Sequence, residues 1–257
     1  MPKDRTLLHT GHGFDVEHVR FHAQRAEWST PYTVASRRIV FPMGRTMLDV
    51  RSGDHTWLVD SLTAMRFGDA AVYQMRPTAD TARQSLVVSG HASPQPADGT
   101  PSFCFLRPGL LYRLHAAQRQ LLANGTGAGD LGALVEALDR SRPQAPLTGA
   151  VARARRLLAE TENGGSRVSL HDLADAVSRS PFHLARSFRE QTGLSLHQYR
   201  QHLRLAAAME RLAEGDLDLA GIAHDLGYCS QSHLGAIFRR ETGATLGEAR
   251  RVLGARI

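Results

Sequence analysis

Residues 170–193 read LHDLADAVSRSPFHLARSFREQTG, and residues 219–243 read LAGIAHDLGYCSQSHLGAIFRRETG. The second stretch repeats the first at an interval of about 50 residues. Leu173, Ala174 and Val177 correspond to Ile222, Ala223 and Leu226; Leu184, Phe188 and Gly193 correspond to Leu234, Phe238 and Gly243. The second copy has one extra residue in its turn. Each copy predicts a short helix, a turn and a second helix of about eleven residues, the pattern of a helix-turn-helix unit. Local signals agree with that reading. Ser169 with Asp172 makes a capping box, Ser180 is placed to cap a helix that opens on Pro181, and Gly193 and Gly243 follow helix ends. Ser195 with Gln198 and Thr245 with Glu248 repeat the capping pattern.

Between the copies, Leu196 to Ala213 predicts a helix with Tyr199, Leu203, Ala206, Ala207 and Met209 on its inward face. At ~1.5 Å per residue it is about 27 Å long. A strut of that length holds two recognition helices close to one DNA turn, ~34 Å, apart, so that one chain reads two successive major grooves. The alternative on the repeat alone is a bundle of six or seven helices with no nucleic-acid partner.

At these residues the sequence resembles the AraC/XylS family of bacterial transcription regulators, over about Ala150 to Arg250. The most specific part is the second copy, Ile222-Ala-x-x-Leu-Gly-Tyr-x-Ser-Gln-Ser-His-Leu-x-x-x-Phe-Arg-Arg-Glu-Thr-Gly243. The resemblance implies a sequence-specific regulator, more often an activator, that binds double-stranded promoter DNA, works with RNA polymerase and forms a homodimer. It implies no cofactor and no enzymatic activity. Two departures stand out. The family commonly carries a proline and then a Tyr-Arg pair after the second recognition helix, where this chain has Leu246 and Ala249-Arg250. Many members also carry an arginine three residues after the position of His233, where this chain has Ala236, which leaves base reading in the second unit either weaker or carried by Gln231, Ser232 and His233.

In a recognition helix the apolar side chains hold the unit together and the opposite face, near the N-terminus, meets base edges. With Leu184 and Phe188 inward, the candidates in the first unit are Phe182, His183, Ala185 and Arg186; the resemblance places Phe182, Ala185 and Arg186 at base-facing positions. Arg186 suits the bidentate pairing of arginine with guanine O6 and N7, against a phosphate contact or a surface ion pair with Glu190. Phe182 suits a thymine methyl or simple hydrophobic cover. In the second unit Ser230 suits an N-cap and Gln231 the bidentate pairing with adenine. Arg189, Arg239 and Arg240 follow the helix bodies and suit phosphates, which position a protein without reading sequence. Arg200 and Arg204 read as solvated charges on the strut.

The first hundred residues have a different texture. Short apolar runs at Thr33 to Phe41, Thr46 to Val50, Thr56 to Val59, Ala70 to Met75 and Ser85 to Ser89 predict strands of a sandwich or barrel, with Ser52-Gly53-Asp54 as a tight turn. Pro94 to Pro101 reads as a loop. From Leu110, helical spacing takes over, through Leu114, Ala117 and Leu121 and then Leu131, Leu134, Val135 and Leu138. That last stripe suits a second copy of the chain or the chain's own barrel. Arg142 to Gly149, with Pro143 and Pro146, reads as a linker. The expected fold class is α+β: residues 1–147 a cupin-like β-barrel with trailing helices, residues 148–257 an all-α domain with two helix-turn-helix units. The cupin likeness is one of arrangement, and it implies sensing of a small-molecule effector that the residues do not identify. Val40, Leu48, Val50, Trp57, Leu58, Val72, Tyr73 and Met75 are the expected inward side chains, lining a pocket or filling a core.

Cupin metal sites use a His-x-His pair with a downstream glutamate and another histidine; here His55 stands alone and His91 has no matching partner. His9, His12, His18 and His22 have spacings that bring pairs together on a helix, yet without cysteine or carboxylate support at a metal-site spacing they read as ordinary histidines rather than metal ligands. No Gly-rich phosphate loop, Gly-x-Ser-x-Gly elbow or His-Glu-x-x-His helix is present. A cupin-type metal enzyme with a DNA-binding appendage is therefore the rival class, and an architectural DNA binder without sequence preference a third.

Composition sets the outer bounds. The 257 residues suffice for two domains, and 42% hydrophobic with 22% charged residues describes a globular chain. The formal charge of +6 favours a polyanionic partner. Lys3 is the sole lysine, an arginine bias that a GC-rich genome explains as well as phosphate binding does. Cys104 and Cys229 lie far apart and read as packed thiols. The opening Met-Pro-Lys-Asp-Arg-Thr is followed by no apolar signal segment, and no apolar run nears the ~18 residues of a membrane helix, so the expected location is the cytoplasm.

Overall fold

The computed structural model describes residues 3–11, 13–22, 27–44, 46–78, 82–90, 100–141, 143–163, 168–216 and 218–254. Its contacts divide the chain between Gln144 and Ala145 into an N-terminal unit of mixed strands and helices and a C-terminal unit of helices alone.

The N-terminal unit contains β1 (Lys3–Gly11), β2 (Phe14–His22), β3 (Tyr32–Thr33), β4 (Arg38–Met43), β5 (Leu48–Ser52), β6 (His55–Val59), β7 (Thr63–Phe67), β8 (Val72–Pro77), β9 (Ala82–Ser89) and β10 (Ser102–Phe105), then α1 (Pro108–Asn124) and α2 (Ala128–Asp139). One sheet has the order β1-β2-β9-β4-β7-β10 and the other β3-β8-β5-β6. Every neighbouring pair in both is antiparallel. The two sheets share one core, and two stacked ring pairs join them: Trp57 on Phe103 at 4.5 Å and Phe67 on Tyr73 at 4.3 Å. The β5–β6 hairpin turns on Gly53, whose left-handed φ of 54° suits the first central position of a two-residue loop.

Period-2 alternation corrects part of the expected core. Trp57 and Tyr73 face inward, so their neighbours Leu58 and Val72 point to the opposite face, and Val72 is 49% exposed. The run Thr33 to Phe41 is two strands, β3 and β4, rather than one. The outer face of the six-stranded sheet carries Arg66, a buried cation whose Nε donates to Ser102 Oγ at 3.0 Å and whose Nη1 donates to the Leu138 carbonyl at 3.1 Å. Arg66 thus joins Ser141, whose N–H and Oγ donate to the same carbonyl at 2.8 and 2.6 Å, at the end of α2, where a positive charge complements the helix dipole. The stripe Leu131, Leu134, Val135 and Leu138 is already buried in the single chain, which removes it as a free surface for a second copy.

The N-terminal histidines lie on strands rather than on a helix. His9 stands on β1 opposite Val16, and His18 on β2 opposite Thr6; His12 and the side chain of His22 lie outside the described residues, as do His91 and residues 94–99 of the expected proline loop. Among the described residues no three His, Cys, Asp or Glu side chains gather as a metal would need. His18 is buried and its Nε2 pairs with Gln84 Oε1 at 3.1 Å. Burial lowers its pKa below the ordinary value of 6.5, against the opposing Gln84 hydrogen bond. A lowered histidine pKa means that the unfolded chain binds the proton more readily, so this stabilisation is present above pH 6.5 and declines as pH falls below it. Urea unfolding of the N-terminal unit should show lower stability at pH 5.5 than at 7.5, and His18→Gln should flatten that difference; an unchanged pH profile in the variant would assign the loss elsewhere.

The C-terminal unit consists of α3 (Gly149–Asn163), α4 (Leu170–Ala176), α5 (Pro181–Thr192), α6 (Leu196–Ala213), α7 (Leu219–Asp225), α8 (Gln231–Thr242) and α9 (Leu246–Leu253). The long α6 is central: it packs against α3 and α9 and also meets α5 and α7. Tyr199, Leu203, Leu205, Ala206, Met209 and Leu212 bury its inner face. Arg211, in its last turn, bridges Asp216 at 2.6 Å and Asp225 at 2.7 Å, which fastens the end of α6 to α7. No helix among the described residues is long and apolar enough to cross a membrane.

Candidate nucleic-acid interface

The geometry of α4–α5 and α7–α8 follows from their caps. Ser169 Oγ accepts the Asp172 N–H at 3.1 Å while the Asp172 carboxylate accepts the Ser169 N–H at 3.2 Å, which fixes the start of α4. The Ser169 hydroxyl, donating to the Asp172 carboxylate at 2.7 Å, and the Ser169 N–H hold that carboxyl below the ordinary carboxylate range. After the turn, Ser180 Oγ accepts the His183 N–H and Pro181 supplies the fixed φ of a first helical position. In the second unit Asp218 caps α7 and Ser230 caps α8, its Oγ accepting the His233 N–H at 3.1 Å. Gly193 and Gly243, at φ 74° and 81°, end α5 and α8 with left-handed backbone that costs glycine nothing.

These caps set the rotation of each helix. In α5, Leu184 and Phe188 are buried, and the Phe188 ring meets Tyr199 of α6 edge-on at 5.5 Å. In α8, Leu234 and Phe238 are buried at the matching positions. The opposite faces turn outward. Phe182, His183, Arg186 and Arg189 are exposed on α5, with Ala185 half-buried; Gln231, Ser232, His233, Ala236, Arg239 and Arg240 are exposed on α8, and Ser230 is exposed at its start. Phe182 is 73% exposed, an unusual position for a bare phenyl ring.

Charge on these faces is partly paired. Arg186 Nε donates to Glu190 Oε1 at 2.9 Å, an i,i+4 pair open to solvent, and that hydrogen bond raises the guanidinium above its ordinary pKa. Arg240 donates to Glu241 at 2.9 Å. Such exposed pairs contribute little to stability and exchange readily for another anion.

The structure also shows features that were passed over in the sequence. The extra residue of the second turn accommodates Tyr228, a buried ring that meets His233 edge-on at 5.6 Å and so orients it. Cys229, in the same turn, is exposed rather than packed, whereas Cys104 is buried. Arg179 is exposed one residue before the Ser180 cap, and its place beside a helix start was a legible signal for a phosphate contact. His183 borders a cleft with Ala150, Val151 and Arg179, so it faces α3 as well as the outside. Arg200 is not a solvated strut charge, because its Nη2 donates to the Val168 carbonyl. Beyond α8, Leu246 and Ala249 are both buried, and Leu246 lies against Gly235 of α8. An apolar contact therefore joins the start of α9 to α8.

A family model described as a helix-turn-helix domain matches residues 173–252. An AraC-like protein of Streptomyces lividans is 38% identical over 80 residues, covering 31% of this chain and 26% of that one. The transcriptional activator RhaS of Citrobacter koseri is 35% identical over 91 residues, covering 35% of this chain and 33% of that one. The chain thus spans between a quarter and a third of the length of these two relatives. A solved structure of ToxT from Vibrio cholerae superposes with a TM-score of 0.40 at 9% identity, covering 95% of this chain and 100% of that one.

Proposed function

We infer, from a C-terminal domain that belongs to the AraC family of helix-turn-helix transcription regulators, that this protein binds promoter DNA sequence-specifically through α5 and α8. The observation that carries the reading is the matched pair of capped helices, each turning a leucine and a phenylalanine inward and a polar face outward. Arg186 reads a guanine, Gln231 an adenine, and Phe182 a thymine methyl, while Ser232 and His233 complete the second reader. Arg189, Arg239 and Arg240 hold phosphates. The two-sheet N-terminal unit serves as a cupin-like sensor of a small molecule and alters how the two readers engage DNA. On the family's pattern the protein is an activator, works in the cytoplasm with RNA polymerase and a second copy of itself, and is not an enzyme.

Selection of bound duplexes from a random pool, at one stated salt concentration, tests this directly. The expected product is a site with two short motifs about one helical turn apart. Failure to enrich any sequence, with equal affinity for random and cognate duplexes, would replace the regulator reading with that of an architectural binder.

A further inference from the structure

Among the described residues, Arg38 is a buried cation of the N-terminal unit that forms no ion pair. Side chains alternate along β4, with Ile39 and Phe41 buried on one face. Arg38 and Val40 occupy the other and line a partly open pocket of about 50 Å³ between the two sheets. Phe21, Met65, Phe67 and Val87 form apolar walls around it. Arg38 is 8% exposed. Its Nε donates to the Ser36 carbonyl at 3.1 Å, and among the described residues its guanidinium forms no ion pair. The nearby carboxylates are already engaged: Asp69 receives the Arg37 N–H at 2.6 Å, and Glu17 pairs at 2.8 Å with Arg5, the other arginine bordering the cavity. A lysine or histidine in this position would shed its proton, but a guanidinium cannot. A buried charge held without a partner is strongly unfavourable, so a cavity of this kind is completed by an anion.

We propose that Arg38 anchors a binding site for the carboxylate of a small organic acid with an apolar body. The charge count selects a monoanion, because Arg5 is balanced by Glu17 and a single positive charge faces the cavity. The planar fork of the guanidinium matches a carboxylate through two parallel hydrogen bonds. Tyr73 borders the same space, stacked on Phe67. Burial pushes its phenol up to about 12, so it remains a neutral donor for a carboxylate oxygen. The apolar walls exclude a heavily hydrated inorganic anion. The limited volume favours a small acid. This site deepens the sensing role proposed above and rests on that reading for its regulatory meaning; its binding chemistry is measured without DNA.

The experiment is calorimetric titration and thermal unfolding of the full chain with acetate, butyrate, hexanoate and benzoate, each set against its amide, and with inorganic phosphate. One of the carboxylates should bind and raise the unfolding temperature, with its amide at least about tenfold weaker, as expected for loss of a charge-assisted pair. Arg38→Met should lose that binding and, freed of an unpaired buried charge, unfold at a higher temperature than wild type without ligand. Arg38→Lys, which lacks the fork and holds its proton only when an anion is bound, should bind between the two. The proposal is overturned if no carboxylate binds at about 10 mM, if amide or phosphate binds as well as the acid, or if Arg38→Met binds like wild type. A chain that binds a carboxylate but enriches no DNA sequence keeps this site and loses the regulatory reading. A chain that selects DNA but binds no carboxylate loses this site alone.

Discussion

Phe188→Ala is expected to lower the stability of the C-terminal unit by about 3–5 kcal/mol, the usual consequence of emptying a fully buried phenyl site. The ring is wholly enclosed and holds more than its own volume in place. It packs edge-on against Tyr199, itself buried, whose hydroxyl accepts from Arg155 Nε at 2.9 Å. Removal therefore opens a cavity beside the junction of α3, α5 and α6 and takes away an aromatic pair that adds about 0.5–1.5 kcal/mol beyond area burial. The control is Phe182→Ala, six positions earlier on the other face of the same helix, which should stay within about 0.5 kcal/mol of wild type. Urea unfolding followed by helical circular dichroism measures both. Equal losses in the two variants would mean that the inner and outer faces of α5 are assigned wrongly.

Arg186→Ala is expected to weaken discrimination at one guanine of the selected site by about 5- to 150-fold, the range for one bidentate arginine–guanine pair. In the free protein the guanidinium rests on Glu190 at 2.9 Å. That pair exposes both partners, so exchanging the carboxylate for a base edge asks for no repacking. Arg186→Lys should fail nearly as fully, since an ammonium has no planar fork. Competition binding at fixed salt, with each base substituted in turn, is the measurement. A uniform loss across all duplexes would instead assign Arg186 to a phosphate, and an unchanged profile would leave the Glu190 ion pair as its whole role.

The two halves were unequally legible in the sequence, for physical reasons. The C-terminal elements announce themselves because caps are local chemistry: Ser195 with Gln198 and Thr245 with Glu248 form the capping boxes their spacing implies, and Gly193 and Gly243 take the left-handed angles that end a helix. The N-terminal strands depend on partners far away in sequence. β1 and β2 escaped notice because Asp4, Arg5, Asp15, Glu17 and Arg20 interrupt any apolar run, as suits a hairpin at a sheet edge where charge discourages further pairing. β7 escaped because all of Thr63–Phe67 is buried, Arg66 included, so no polar alternation marks it. Leu58 and Val72 read as inward on hydrophobicity alone, although Trp57 and Tyr73 beside them take that face. Within the candidate interface, the outward residues of α5 and α8 were legible from helical periodicity, whereas the Tyr228–His233 contact belongs to an irregular turn with no period to read.

The outward faces of α5 and α8 are unlike each other. Counted from their serine caps, Phe182 stands where the second unit has Ser232, Ala185 where it has Gly235, and Arg186 where it has Ala236. A molecule with two equal hands would lie on its target either way round. This one, on the proposed function, is handed: its site has a beginning and an end, and the chain lies along a promoter pointing in one direction. Inverting the site in place would then leave affinity untouched and turn the remainder of the protein away from the start of transcription, so that strength of binding and strength of response become separable properties of one sequence of DNA.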